Sequence, residues 1–243
     1  MIAVFRKEFA SFFASPVGYL VTGLFLVLCG LFLWVFKGPF NVLDYGFADL
    51  SLFFLLAPWV MLLLIPAVCM KSFAEERKLG TLELLLSKPL SPAALVAGKF
   101  LGVFALASLA VAPTLLYVWA ISELGTTPGN LDTGLVLGSY IGLLFLMAAY
   151  CSIGLFASSL TDNQITAFML GVLLCFLLYF GFESLGGLIP EGGLAITVSD
   201  LGMKAHYETI SQGILDSRDL VYFAGLILFF GYLTTLKISR LRS

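Results

Sequence analysis

Six long stretches of the sequence contain no Asp, Glu, Lys or Arg, and this segregation of charge constrains the fold more than any other feature. The stretches cover residues 9–36, 50–70, 100–122, 133–161, 163–182 and 220–236. A helix needs about 20 apolar residues to cross a bilayer. One Lys or Asp at mid-span costs about 2.5–3.5 kcal/mol on insertion, so the segregation has a physical cause. The sequence therefore predicts an all-α integral membrane protein with six transmembrane helices.

Composition excludes the other broad classes. Hydrophobic residues make up 60% of the chain and charged residues only 12%, whereas ordinary soluble domains carry about 25% charged residues. The abundance of apolar residues also excludes disorder, and a net charge of −2 argues against a nucleic-acid partner. We expect one transmembrane domain over residues 1–243, with spans near 16–36, 50–70, 95–120, 134–160, 163–183 and 220–237.

The basic residues predict the orientation. Six spans place both termini on one side, and that side holds ten of the thirteen Lys and Arg residues, including Lys99, which directly precedes the third charge-free stretch. The opposite side holds ten of the fifteen acidic residues. Because positive loops stay in the cytosol, both termini are predicted to be cytosolic.

Residues 1–15 have the pattern of an amphipathic helix. Ile2 and several phenylalanines recur at helical spacing, while Arg6, Lys7 and Glu8 share another face. Such a helix lies in the cytosolic membrane interface. The alternative is a simple cytosolic extension of the first span.

Residues 71–92, which we call the elbow, form the only long cytosolic loop. Ser72 and Glu75 match a capping box that would start a short helix. Gly80 would end that helix, and Thr81 would cap a second turn through Leu86. A charged, partly apolar helix–break–helix element suits docking to a cytosolic partner. A solvated loop whose charges only fix the topology remains the alternative.

Residues 184–219 form a long segment on the outer side. A short amphipathic helix is predicted over 203–213, and Ser217 is predicted to cap the last span. The segment either lines an exit path or lies on the bilayer.

Gly134, Gly138 and Gly142 are spaced by four residues in the fourth span. Small residues at this spacing let helices approach closely in lipid. The contact is either internal to the bundle or an interface between subunits.

The sequence lacks the motifs of an enzyme. It contains no P-loop, no H-E-x-x-H and no paired cysteine motif, and its one histidine is His206 in the outer segment. We therefore predict no catalytic residue, no metal and no cofactor bound by this chain. Energy for any transport has to come from elsewhere.

Three stretches carry a resemblance to a known family. They are SPVGYL at residues 15–20, APWVMLLLIPAVCMKSFAEERKLGTLELLLSKPLS at 57–91 and HYETISQGILDSRDLVYF at 206–223. SSLTDNQITAF, between the fourth and fifth spans, adds a fourth. The chain resembles type-2 ABC-transporter permeases, and among these the gliding-motility-associated permease subunits, the F component of the Gld system.

The resemblance implies partners and roles. Such permeases pair with a second permease, as homodimers or with a related permease, and bind separate ABC ATPase subunits that hold ATP and Mg. The residues that would contact the ATPase lie in the elbow: Glu75, Glu76, Arg77, Gly80, Thr81 and Glu83. Spans two and five would flank the translocation path. The outer segment would gate it, with His206, Asp216, Arg218 and Asp219 as the residues singled out.

The implied function is ATP-driven export across the bacterial cytoplasmic (inner) membrane by a multi-pass, lipid-embedded permease, serving gliding motility or secretion. The alternative is an ATPase-driven structural or regulatory component of an envelope machine, without a solute cargo. An intramembrane enzyme is the third reading, and it lacks any catalytic constellation.

Overall fold

The computed structural model describes residues 1–47, 49–87, 90–125, 131–190, 192–214 and 216–241. Within these ranges the chain is helical, with turns and short connections and no strand. Some residues covered by the predictions above lie outside the described residues: Lys88 and Pro89 of the elbow, Glu191 and Leu215 of the outer segment, and Arg242 of the basic residues.

Thirteen α-helices follow one another in the described parts of the chain. Their bounds are α1 Ile2–Ala14, α2 Val17–Gly30, α3 Val42–Tyr45, α4 Ser51–Lys78, α5 Thr81–Leu86, α6 Pro92–Val111, α7 Leu115–Leu124, α8 Thr133–Leu160, α9 Gln164–Phe176, α10 Phe182–Leu188, α11 Gly193–Ser199, α12 Met203–Ser211 and α13 Ser217–Arg240. Two π-helical segments, Leu31–Val35 and Leu177–Gly181, continue α2 and α9, and a 3₁₀ turn over Ala112–Thr114 joins α6 to α7.

In the described part of the chain, six helical stretches are long and apolar enough to cross a membrane, in agreement with the number predicted. They are Val17–Val35, Ser51–Lys78, Pro92–Leu124, Thr133–Leu160, Gln164–Leu188 and Ser217–Arg240. The second and fourth spans are the most buried and form the centre of the bundle. The first, fifth and last spans surround them and present most of their surface outward.

The second span continues as one helix into the elbow. Helix α4 runs without a break from Ser51 to Lys78, so the expected new helix at Ser72 was wrong. Ser72 lies in the helix interior and is buried. The expected break at Gly80 is confirmed, because Gly80 has a φ of 67° and separates α4 from α5. Glycine adopts this left-handed backbone conformation easily, because it has no Cβ. The predicted cap at Thr81 was wrong, because Thr81 is the first residue of α5 and its hydroxyl donates to the Glu76 carbonyl.

The third span begins earlier than its charge pattern indicated. Ser91 caps α6 by accepting a hydrogen bond from the Ala94 amide, and Pro92 is the first helical residue. Lys99 therefore lies two turns inside the helix and is buried. Its burial was not predicted, because the charge-free stretch marks only the apolar part of the span and not the start of the helix.

The connection before the last span folds back on the bundle. Helices α10 and α11 pack against each other, and α12 packs against the fourth span. The last span is capped by Asp216, whose Oδ1 accepts a hydrogen bond from the Arg218 amide. Ser217 is the first helical residue, so its predicted role as the cap was wrong.

Candidate functional site

The elbow presents an apolar and acidic surface at one end of the bundle, which we call the elbow end. Leu82 and Leu86 of α5 are buried and anchor the short helix. Leu79 and Leu84 are 66% and 67% exposed beside the exposed side chain of Glu83. Two exposed leucines next to a carboxylate form a surface suited to a protein partner.

Contacts with the fourth span hold the elbow in place. The Ser158 hydroxyl accepts hydrogen bonds from the amides of Phe73 and Ala74 at 3.0 and 3.1 Å, and donates one to the Met70 carbonyl. Arg77 Nη1 donates to the Ser159 carbonyl at 3.1 Å. The elbow is therefore fixed to the bundle along the last two turns of α4.

Helix α1 packs directly on the third span because that span has a smooth face. A Cβ added at Gly98 would lie 2.7 Å from Val4 Cβ, and one added at Gly102 would lie 2.9 Å from Glu8 Cβ. Glycine four residues apart allows this close approach. Val4 and Glu8 are consequently buried, which corrects the expectation that Glu8 shares an exposed face with Arg6 and Lys7.

Lys99 lies between these elements and is only 1% exposed. Its ammonium group contacts Glu8 Oε1 at 2.8 Å, the Ser72 carbonyl at 2.7 Å and Glu76 Oε2 at 3.0 Å. It also lies 5.1 Å from the centre of the Phe73 ring. Two of its N–H groups donate hydrogen bonds, to Glu8 and to the Ser72 carbonyl, whereas the contact with Glu76 Oε2 is an ion pair without a hydrogen bond.

A second lysine balances the charge. Lys7 contacts Glu76 Oε1 at 3.1 Å and Glu8 Oε1 at 3.8 Å. We call Lys7, Glu8, Glu76 and Lys99 the charge cluster; it contains two positive and two negative groups. The two carboxylates come from α1 and the elbow, and Lys99 comes from the third span.

The six elbow residues singled out in the sequence differ in their exposure. Gly80, Thr81 and Glu83 are exposed, whereas Glu75 and Arg77 are partly buried. Glu76 points into the charge cluster, and its side chain is only 13% exposed. Sequence reasoning missed Lys99 and Ser158. The spacing of Gly98 and Gly102 was the available signal for a helix packed beside Lys99.

The outer residues singled out in the sequence are only partly brought together. His206 Nδ1 lies 2.6 Å from Asp219 Oδ1, and the His206 ring stacks on Tyr222 with ring centres 3.9 Å apart. Asp219 is buried in the first turn of the last span. Asp216 is the helix cap, and the Arg218 side chain is exposed. These contacts tie α12 to the last span.

Two of the three glycines singled out in the fourth span face α12 and not another span. A Cβ at Gly138 would lie 3.0 Å from the Ile210 carbonyl, and one at Gly142 would lie 3.0 Å from Ile210 Cγ2. Between them, Ser139 donates a hydrogen bond to the Ser211 carbonyl at 2.8 Å. A Cβ at Gly134 would approach only Asp132 of its own helix cap.

Charge and burial around α12 shift two pKa values. Burial lowers the pKa of Lys204, but the hydrogen bonds to Glu183 and the charge of Glu208 outweigh this effect, so the pKa is raised overall. Burial raises the pKa of Tyr207 well above its ordinary value. The Tyr207 hydroxyl stays protonated and donates to the Phe54 carbonyl at 2.7 Å, which fixes α12 to the second span.

The described residues contain no group of three or more His, Cys, Asp or Glu side chains arranged to hold a metal ion. The four cysteines are buried and unpaired: Cys29, Cys69, Cys151 and Cys175.

Comparison with protein families supplies an identification. The family model described as ABC-2 family transporter protein matches residues 46–235, which cover more than half of the chain. The chain belongs to the ABC-2 transporter family. No curated protein matches the sequence. The matched range includes the elbow, the fourth-span glycines and α12, whereas α1 lies outside it.

Membership of the ABC-2 family indicates that the elbow and the six spans belong to a transporter. The chain is a multi-pass membrane protein and a membrane-spanning component of a transporter, without a catalytic role of its own. The elbow and the charge cluster lie at the same end of the bundle. The segment before the last span lies at the other end.

Proposed function

We propose that the chain is the permease subunit of an ABC transporter, which exports a substrate across the cytoplasmic membrane with energy from a separate ATPase subunit. The ATPase docks on the elbow, with ATP and Mg bound in that partner. Both termini and the elbow then face the cytosol, in line with the distribution of Lys and Arg. The resemblance of the quoted stretches to gliding-motility-associated permeases extends the proposal to a motility or secretion system.

The observation that carries this proposal is the continuity of α4. A helix of 28 residues runs from the opposite end of the bundle directly to the exposed surface of α5. Because the last two turns are hydrogen-bonded to the fourth span through Ser158, a force on α5 acts on the two most buried spans. This supports a role for the elbow as a lever between a cytosolic partner and the membrane helices.

A second permease subunit is part of the same proposal. Leu55 and Leu63 are each 52% exposed in an otherwise buried second span. Leu63 borders an apolar cavity of about 590 Å³ along the fifth span, together with Met169 and Phe176. Pairing along the second and fifth spans would cover this surface and would place both spans beside the translocation path.

The first test is affinity capture of the full chain after gentle solubilisation of native membranes. The proposal expects a stoichiometric subunit that carries a P-loop. Glu83→Lys reverses a charge in the exposed surface and is expected to reduce capture of the ATPase or to uncouple its activity. Lys237→Glu is the matched control, because it reverses a charge on the last span at the same end of the bundle.

The outcomes separate the candidate functions. Capture of an intact complex without an ATPase would refute the proposal, as would normal capture and coupled activity in Glu83→Lys. An ATPase whose activity responds to no candidate solute in vesicles, captured together with stable envelope proteins, would favour the structural or regulatory component. The two functions therefore differ in solute-stimulated ATP hydrolysis.

A further inference from the structure

Burial of the charge cluster carries a desolvation cost in free energy, which points to a role besides stability. A buried ion pair gains little over well-packed apolar side chains, because its charges must be removed from water. Lys99 is nevertheless fully buried in the helix of the third span, with three oxygen partners within 3.0 Å. A methionine would fill similar space without that desolvation cost.

The packing around the cluster does not by itself fix the position of α1 along the third span. Helix α1 rests on Gly98 and Gly102, which form a smooth surface without side chains to lock its position. Contact with such a surface fixes the distance between two helices better than it fixes their register. The hydrogen bond from Lys99 to Glu8, in contrast, defines one position of α1 along the third span.

The link between α1 and the elbow also depends on charge. A cavity of about 440 Å³ lies between the two helices and is lined by Ser11 and Phe12 on one side and by Lys71 and Glu75 on the other. Beside this cavity, Glu76 of the elbow contacts Lys7 of α1 and Lys99 of the third span. The ion pairs therefore connect two elements that are separated by open space.

We infer that Lys99 is a positioning residue that makes the elbow, α1 and the start of the third span move as one body. This inference rests on the proposed function, because it assigns the path by which displacement of the elbow reaches the third span. A shift of α4 at Glu76 pulls Lys99, and Lys99 carries α1 with it through Glu8. Without the ammonium group, the third span loses its ion pairs to both elements, and the more exposed pair of Lys7 with Glu76 is left to connect α1 to the elbow.

The test measures a distance in the full chain. Nitroxide labels at Ala10→Cys and Ser87→Cys report the separation of α1 from the end of α5, and both positions are exposed. The native cysteines are buried. In lipid nanodiscs, we expect a single narrow distribution of the distance between the two labels when Lys99 is present. In Lys99→Met, we expect this distribution to be clearly broadened or shifted. Lys237→Met, on the last span, is the control that keeps the narrow distribution.

A double variant separates positioning from stability. Lys99→Met combined with Glu8→Gln removes the buried carboxylate that has lost its hydrogen bond from Lys99, while Glu76 keeps its contact with Lys7. We expect the double variant to recover the melting temperature of the unmodified chain but to keep the broad distance distribution. Recovery of the narrow distribution would show that packing alone fixes α1, and would overturn the inference.

The complex with the ATPase tests the transmission itself. With vanadate-trapped ATPase, the distance from α1 to α5 is expected to remain unchanged when Lys99 is present and to shift in Lys99→Met. Equal distances in both, with the ATPase bound to both, would overturn the inference and leave the proposed function intact. Failure to capture any ATPase would refute the proposed function, whereas the measurement on the chain alone would still decide whether Lys99 positions α1.

Discussion

Gly98→Ala is the most direct perturbation of the contact between α1 and the third span. The new methyl group would lie 2.7 Å from Val4 Cβ and 3.0 Å from the Met1 carbonyl oxygen. Ordinary contact begins at 3.4 Å, so α1 must move outward by about 0.7 Å. Val4 is β-branched and stiff, and the Met1 atom belongs to the backbone, so neither neighbour can rotate away.

The cost of this change follows from the geometry. Overpacking of this kind destabilises a protein by about 1–3 kcal/mol. An outward shift of about 0.7 Å at Glu8 would also lengthen its 2.8 Å contact with Lys99 to about 3.5 Å, beyond hydrogen-bonding distance. We therefore expect α1 to detach locally while the six spans remain folded.

Hydrogen exchange of the α1 amides in nanodiscs measures this detachment. A loss of about 1–2 kcal/mol in local stability corresponds to exchange that is about 5 to 30 times faster. Gly231→Ala is the matched control, because it adds the same methyl group to a helix with no neighbouring atom within 4 Å. The control also cancels the intrinsic preference of alanine for helices. Equal α1 exchange in Gly98→Ala and Gly231→Ala would refute the packing argument.

Three further substitutions test other contacts. Ser158→Ala removes three hydrogen bonds between the second and fourth spans and is expected to lower the free energy of unfolding by about 1–2 kcal/mol. Ser152→Ala, which loses only a bond within its own helix, should cost less in the same unfolding assay. Gly142→Val is expected to displace α12, seen as faster amide exchange over that helix and little change elsewhere. Asp216→Ala should cost about 1 kcal/mol and fray the start of the last span, whereas Ser217→Ala should leave its exchange unchanged.

The number of spans could be predicted from the sequence because it depends on one strong and local rule. Charges are excluded from the apolar part of a membrane helix whatever the helix contacts. The break at Gly80 was also predictable, since the left-handed conformation that ends one helix before the next begins favours glycine. Such features need no knowledge of the rest of the chain.

The start of a helix at Ser72 could not be judged in the same way. The spacing of Ser72 and Glu75 fits a capping box, but a capping box forms only where the preceding residues leave the helix. Here the fourth span supports α4 through Ser158, and the helix continues past Ser72. A contact between residues 85 apart in the sequence therefore decided the local structure.

Lys99 shows why the candidate site was only partly predictable. A lysine next to an apolar stretch ordinarily extends its ammonium group to the membrane surface. Burial requires acceptors, and the nearest ones come from Glu8, 91 residues earlier, and from Ser72 and Glu76. The spacing of Gly98 and Gly102 indicates that some helix packs beside Lys99, but it does not identify that helix.

The inward position of Glu76 changes how the elbow motif should be interpreted. Neighbouring acidic residues in one short motif suggested a single docking surface. In the structure Glu83 is exposed for a partner, whereas Glu76 is turned toward Lys7 and Lys99. Charge reversal at Glu83 should therefore affect recognition of the ATPase, and loss of the carboxylate at Glu76 should affect what the elbow moves after the ATPase has bound. Under the proposed function, recognition and transmission therefore depend on different residues that lie less than ten positions apart.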